Sequence, residues 1–261
     1  MENLVQWPRA KWWEKAWNPV IGCKPCSPAC ENCYAAAWAR RFRQSFEPHS
    51  TKQRPPRKGV VFCGNMTDLF GRWTDDVDVF DWPTEYIKRS LGHSDKAVYL
   101  WLTKRAESMC DALNNGRVFL KGDDDCDYAF RDCEMRNQFF GFTAENQEYY
   151  ERRMSIVNEC FPRWANLWIS AEPLLGPIDF RWDDVVIKPK VIITGCESGP
   201  NRRPCKLEWI ESIVEQCRAA NVPVFVKQLD LDRKCERDIT KFPEHLQIRQ
   251  VPWRNCEKGG S

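Results

Sequence analysis

Cys23, Cys26, Cys30 and Cys33 fall within eleven residues, and the last is followed by Tyr34 and a run of alanines. Thiolates gathered on one short loop are what a metal cluster needs and what a packed core does not. Cys26, Cys30 and Cys33 read C-x3-C-x2-C, while Cys23, Cys30 and Cys33 read C-x6-C-x2-C, so two overlapping sets of three are present. Three thiolates on an iron–sulfur cube leave one iron open for a substrate or cofactor. All four together could instead close a tetrahedral structural zinc. Pro25 and Pro28 keep the loop out of regular helix under either reading. Disulfides are the weaker alternative, because the opening MENLVQWPRAKWWEK has no apolar signal segment. The expected compartment is reducing and cytoplasmic, in a bacterial host or a phage-infected cell.

A second set of reactive groups stands at the ends of short apolar runs. VVFCGNMTD ends in Asn65, Thr67 and Asp68, and AVYLWLTKR ends in Thr103, Lys104 and Arg105. QFFGFTAEN gives Thr143, Glu145 and Asn146; LWISAEPL gives Ser170 and Glu172; VIITGCESG gives Glu197 and Ser198; PVFVKQL gives Lys227 and Gln228. Each has a local alternative: Asp68 or Asn146 as a helix cap, Lys104 as one half of an ion pair. Gly195 and Gly199 in TGCESGP allow close approach of the backbone to a ligand. The lysine and hydroxyl of a phosphate loop are missing there, so a ribose or amino-acid moiety fits better, with Glu197 as acceptor and Ser198 in either role.

These groups need a scaffold. The apolar runs alternate with helical segments: CYAAAWARRFRQSF after the cysteines, then DVFDWPTEYIKRSL, NQEYYERRMSIVNEC and LEWIESIVEQCRAAN. Continuous apolar strands between amphipathic helices predict an α/β fold with a parallel sheet buried on both faces. A partial or full (β/α) TIM-like barrel is the natural architecture, and it gathers the strand ends at one mouth. The expected organisation is one domain over 1–261. It carries a cysteine-cluster loop (17–45), an insertion (about 108–136) and a C-terminal extension (about 230–261).

Composition sets limits. With 261 residues, 43% hydrophobic, the chain can bury a large core. Its 39 basic and 37 acidic residues leave a net charge of +2, so no global field points to nucleic acid or to a membrane surface. No apolar stretch approaches the roughly 20 residues of a membrane helix. One local basic stretch, RRFRQSFEPHSTKQRPPRK from Arg40, suits phosphates or simply a solvated loop. Most of the fourteen cysteines are scattered and read as small buried hydrophobes, although Cys110, Cys126 and Cys133 could form a second site. Trp7, Trp12, Trp13 and Trp17 precede the cluster and are expected to shield it from water.

WNPVIGC, SPACENCYA, NMTDLF, LTKR, FTAENQ, EPLLGPID, CESGPNRRP and VKQL follow one another from Trp17 to Leu229. In that order they resemble a family of phage and prophage proteins that is itself similar to the radical S-adenosylmethionine enzymes. The resemblance implies a radical-SAM-like barrel and a [4Fe-4S] cluster on Cys23, Cys30 and Cys33, with Cys26 as the alternative first ligand. It also implies S-adenosyl-L-methionine as cofactor, a flavodoxin- or ferredoxin-type electron donor, and reductive cleavage to a 5′-deoxyadenosyl radical. Glu145, Glu172, Glu197 and Ser198, with Gly195, are the expected cofactor holders. Asp68, Lys104 and Arg105 are the expected catalytic residues on the substrate side. A nucleic-acid base or nucleotide is the leading substrate. The alternatives are a zinc-stabilised nucleic-acid-binding protein, with Trp12, Trp13 or Trp38 stacking on bases, and S-adenosylmethionine cleavage without radical chemistry. Three departures from the wider pattern stand out: Asn32 where an aromatic residue precedes the third cysteine, Cys196 where glycine is usual, and the insertion.

Overall fold

Apolar runs too continuous to face water on either side become parallel strands. The structure, a computed structural model, describes residues 5–71, 82–91, 96–120, 126–130, 135–199 and 201–253. The chain begins with strands β1 (Val5–Gln6), β2 (Lys15–Trp17) and β3 (Val20–Ile21), then the cysteine loop, helix α1 (Tyr34–Arg41) and β4 (His49–Ser50). The strand–helix rhythm follows: β5 (Gly59–Cys63), α2 (Trp82–Leu91), β6 (Ala97–Thr103), α3 (Ala106–Asn115), and the hairpin β7 (Arg117–Leu120) with β8 (Cys126–Ala129). Next come β9 (Gln138–Thr143), α4 (Gln147–Cys160), β10 (Asn166–Ala171), β11 (Ile192–Gly195), α5 (Leu207–Ala219), β12 (Val224–Leu231), β13 (Lys234–Glu236) and β14 (Gln250–Val251).

The 8-stranded sheet runs β2-β5-β6-β9-β10-β11-β12-β13, parallel throughout except for antiparallel β13 at the far edge. Sheet order follows chain order without reversal, which is the winding of a barrel and not of a doubly wound sheet with a switch point. β2 and β13 remain edges, so the expected barrel takes its partial form, a curled half-barrel flanked by helices.

The two faces of the sheet bury different partners. Val61, Cys63, Tyr99, Trp101, Phe140 and Ile169 point toward the helices. Their alternates, including Val60, Phe62, Leu100, Phe139 and Ile193, point into the hollow of the half-barrel. Trp7 and Trp12 from the start of the chain and Trp253 from its end fill that hollow, and β1 pairs with β14 beside them. Trp168 joins this inner cluster, with its ring edge-on to Trp12 at 5.0 Å.

The C-terminal extension, from about 230, packs into the fold: Val251 and Trp253 are fully buried in the inner cluster. The insertion from about 108 starts inside the regular helix α3 and becomes a hairpin only beyond Gly116. The helix after the cysteines ends at Arg41, with Arg43 in the left-handed region, so FRQSF is not helical. Among the described residues, only a single 3-10 turn, Trp182–Asp184, lies between β10 and β11. No helix among the described residues is long and apolar enough to cross a membrane.

Candidate metal and cofactor site at the strand ends

The cysteine loop leaves β3 through Gly22, whose φ of +97° is open to glycine; a Cβ there would meet the Glu47 carbonyl oxygen at 2.4 Å. The Gly22 amide donates to the Met66 carbonyl (3.2 Å) and the Cys23 amide to the Phe46 carbonyl (3.1 Å). The loop is thereby laid across the carboxyl ends of the parallel strands. It closes a cavity lined by Cys23, Cys26, Cys30 and Cys33 on one side and by residues of the strand ends on the other.

Asp68 ties the strand ends to the loop. Its carboxylate accepts from Thr103 Oγ1 (2.7 Å), the Phe70 amide (3.1 Å), the Lys104 amide (3.0 Å) and Arg105 Nη1 (2.8 Å). Arg105 Nη2 continues to the Lys24 carbonyl (2.9 Å), so the ion pair grips the loop next to Cys23. Asp68, Lys104 and Arg105 all line the cavity, but the charges of Asp68 and Arg105 are directed at each other.

The other flank is held by Glu197. Asn32 Nδ2 donates to its Oε2 (2.9 Å), as does the Arg203 amide (2.8 Å), and the Arg203 guanidinium binds both oxygens. Burial opposes the charge, yet hydrogen bonds from Arg203 and then Asn32 hold the Glu197 carboxyl below its ordinary range. Arg203 also reaches Glu31 (3.2 Å). The residue preceding Cys33 is thus anchored to the end of β11. Neither Asn32 nor Arg203 was expected to take part in the site. Their only sequence signals are a polar residue in an aromatic's usual place and an arginine just beyond a glycine turn.

Glu172, just beyond β10, and Lys227, midway along β12, form an ion pair on the cavity wall, and the Trp13 ring centroid lies 5.9 Å from the Lys227 ammonium. Thr143, Ser170, Ser198 and Cys196 complete that side. Three buried polar atoms of lining residues have no partner among the described residues: Trp12 Nε1, Trp13 Nε1 and Asn65 Oδ1. A buried polar group left unmade costs about 1–3 kcal/mol, so each of these atoms lacks a bond it could make.

The thiols differ in their surroundings. Burial and the nearby Asp68 push Cys23 up to about 11. The Cys26 thiol donates to the Cys30 sulfur, which raises Cys26 and lowers Cys30, with Lys104 adding to the stabilisation of the Cys30 thiolate. Cys33 is the N-cap residue of α1, with no side-chain capping bond. Among the described residues, no three His, Cys, Asp or Glu side chains stand close enough together to share one metal ion.

Some expected site residues lie elsewhere. Glu145 is not on the cavity wall; it is fully buried, pairs with Arg153 of α4 at 2.6 Å and leaves Oε1 without a partner among the described residues. Gly195 is also off the wall, and its missing side chain admits β12, since a Cβ would lie 3.1 Å from Gln228 Cγ. Gly199 forms an exposed turn at φ +110°. Asn146 caps α4 by accepting from the Tyr149 amide at 3.1 Å. Gln228 donates to the Cys196 carbonyl. Of the tryptophans expected to shield the cluster, Trp12 and Trp13 line the cavity, whereas Trp7 and Trp17 are buried away from it. Cys110 is buried beside Cys160, while Cys133 and the Cys126 side chain lie outside what is described, as does Cys256.

Neither the curated proteins nor the solved structures contain a significant match to the chain. A protein family of unknown function, DUF5131, matches residues 8–241, which take in the cysteine loop, every parallel strand and the cavity, and the chain belongs to that family.

Proposed function

We propose that the chain is an iron–sulfur enzyme whose loop thiolates hold a [4Fe-4S] cluster with one open iron, at which S-adenosylmethionine is cleaved reductively to modify a nucleic-acid base or nucleotide. One observation carries this reading: four loop cysteines and the polar ends of several parallel strands line a single cavity. The residues fit the groups. Soft thiolates suit iron–sulfur clusters. Thiols spread round a cavity suit a polynuclear group that takes one thiolate per iron better than they suit a single ion. The unpartnered Trp12, Trp13 and Asn65 atoms suit a polar cofactor.

When bound, the two groups together would supply a 5′-deoxyadenosyl radical able to take hydrogen from a carbon atom, with the electron coming from a flavodoxin- or ferredoxin-type donor. The chain's residues do the rest. Cys30 binds through a thiolate that Lys104 favours, Cys33 binds beside it from the start of α1, and Cys23 or Cys26 completes the set. Glu172 accepts from hydroxyls or an ammonium, and Ser198 donates or accepts beside it. Trp12, Trp13 and Phe62 exclude water from one wall. Asp68, Arg105, Glu197 and Arg203 keep the loop in register with the strand ends.

The test is anaerobic reconstitution with iron and sulfide, then incubation with dithionite and S-adenosylmethionine while 5′-deoxyadenosine is assayed. The expected result is nucleoside from the wild type and from Cys26→Ala, and none from Cys30→Ala. A different cleavage product would assign heterolytic chemistry. One tightly held zinc and no nucleoside would overturn the enzyme reading in favour of a closed structural site.

A further inference from the structure

Helix α1 presents an aromatic stripe to solvent. Tyr34, Trp38 and Phe42 are 52%, 44% and 53% exposed, and the only other exposed large hydrophobic side chain among the described residues is Val186. Their spacing of four puts them on one helical face. Ala35 and Ala39, about a quarter of a turn round the helix from them, are buried and seat the helix on the fold, while the aromatics stay at its exposed edge. An amphipathic helix of this kind normally buries its aromatics, and here the packed face is made of alanine.

The stripe leads into the cavity. Tyr34 lines it and donates a hydrogen bond to the Asn65 carbonyl at the end of β5. Trp38 and Phe42 continue outward as a tilted pair, ring centroids 4.7 Å apart and planes 47° apart, with the Arg41 guanidinium over Phe42 at 5.8 Å. The chain then turns back along the rim, and Phe46 lines the cavity again. Arg40, Arg41, Arg43, Lys52, Arg54 and Arg57 along this path are all exposed, and none forms a salt bridge among the described residues. Glu47 is the one acid between Arg40 and Lys58.

We propose that this stripe and its flanking cations are the docking surface for a single-stranded nucleic acid, which delivers one unstacked base past Tyr34 into the cavity. The proposal rests on the function proposed above and names its substrate class. Aromatic faces stack on any base, and the exposed cations track the phosphates. An acidic electron-transfer protein would also be drawn to the cations. A single strand, in addition, can extrude a base into the cavity, as base-modifying enzymes require.

The test is fluorescence anisotropy with a fluorescein-labelled 12-nucleotide single strand of mixed sequence and the same sequence as a duplex, using the full chain. The expected results are preference for the single strand and about tenfold or greater weakening in the double variant Trp38→Ala/Phe42→Ala, with an unchanged salt slope. Arg40→Gln/Arg41→Gln/Arg43→Gln should flatten the slope of log K against log salt by about 0.7 per lost phosphate contact. These exposed sites leave thermal melting at its wild-type value, so a loss of binding is not a loss of fold. Equal binding of duplex and single strand, or wild-type affinity in both variants, overturns the proposal. So does a complex with a flavodoxin that these variants abolish while the strand is not bound. The binding assay needs neither cluster nor S-adenosylmethionine. Nucleoside formation without strand binding therefore refutes this surface alone, and strand binding without nucleoside supports the surface and refutes the radical chemistry alone.

Discussion

Replacing Arg105 with alanine tests whether the cysteine loop is clamped from the strand ends. The substitution removes two charge-assisted hydrogen bonds, to Asp68 (2.8 Å) and to the Lys24 carbonyl (2.9 Å). Hydrogen bonds to charged groups contribute about 1.5–3 kcal/mol each. The two side chains retain 19% and 10% exposure, so solvent screens part of that. Asp68 also keeps its bonds from Thr103, Phe70 and Lys104 and does not become an orphaned buried charge. The loss then comes to roughly 2–3 kcal/mol, short of the 3–5 expected when a buried pair is broken outright. For a chain of this size, about 2–4 °C per kcal/mol translates this into a melting point lowered by roughly 4–12 °C. Arg105→Lys keeps the charge but lacks the fork that spans the carboxylate and the carbonyl, so it should fall between alanine and wild type. Circular dichroism melting at neutral pH reads the stability, and iron bound per chain after reconstitution reads the loop. If Arg105→Ala melts within about 1 °C of wild type and binds as much iron, the clamp does not exist.

Glu197→Gln should destabilise the protein by about 1.5–3 kcal/mol near neutral pH, the worth of hydrogen bonds to a charged group. Because the folded carboxyl titrates below its ordinary range, that difference holds above the unfolded value near 4.3. It then shrinks as pH falls through the lower folded value. Urea unfolding of both proteins from pH 7 to pH 3 measures this, and a constant gap throughout would refute it. Cys196 and Cys235 have sulfurs 3.9 Å apart, and a hydrogen bond from Cys196, with Arg237 and Arg202 nearby, lowers Cys235. Mild oxidation with diamide should therefore link the two within one chain. Peptide mapping that finds both cysteines alkylated after oxidation would contradict it.

The parallel strands could be read from the sequence because burial on both faces makes them continuous apolar runs. β6 (AVYLWLT) and β9 (QFFGFT) have no polar side for the pattern to lose. What fills the half-barrel could not be read in this way. Trp7, Trp12 and Trp253 meet across nearly the whole chain, and the two-residue strands β1 and β14 that pair beside them are too short to carry a period. The site divides similarly. Strand-end position places a residue at the mouth, which served for Asp68, Lys104 and Glu172. It does not say which way the side chain turns. Glu145 stands one residue beyond Ala144 at the end of β9 and turns down to Arg153, a partner on the following helix that no strand pattern reveals.

The ties around the cysteine loop are uneven. Gly22 and the Cys23 amide are fixed by the backbone of Met66 and Phe46, Lys24 is held by Arg105, and Asn32 by Glu197. Every one of these bonds falls on a residue flanking the thiols or on a main-chain atom. The thiols themselves are tied mainly to near neighbours: Cys26 to Cys30, Cys30 to Ser27 at 3.8 Å, and Cys23 to the Lys24 carbonyl at 3.6 Å, with the Asp68 backbone also reaching Cys23. A loop whose job was to pack would bury its cysteines, as the chain does with Cys63 and Cys217. Here the frame is rigid and the sulfurs are left half-exposed around a cavity, so that binding does not have to meet the conformational cost of ordering the loop. That division of labour predicts separable phenotypes. Loosening Arg105 or Glu197 should lower stability and iron retention together, whereas replacing Cys30 should abolish iron binding and leave the melting point of the unreconstituted protein within about 2 °C of wild type.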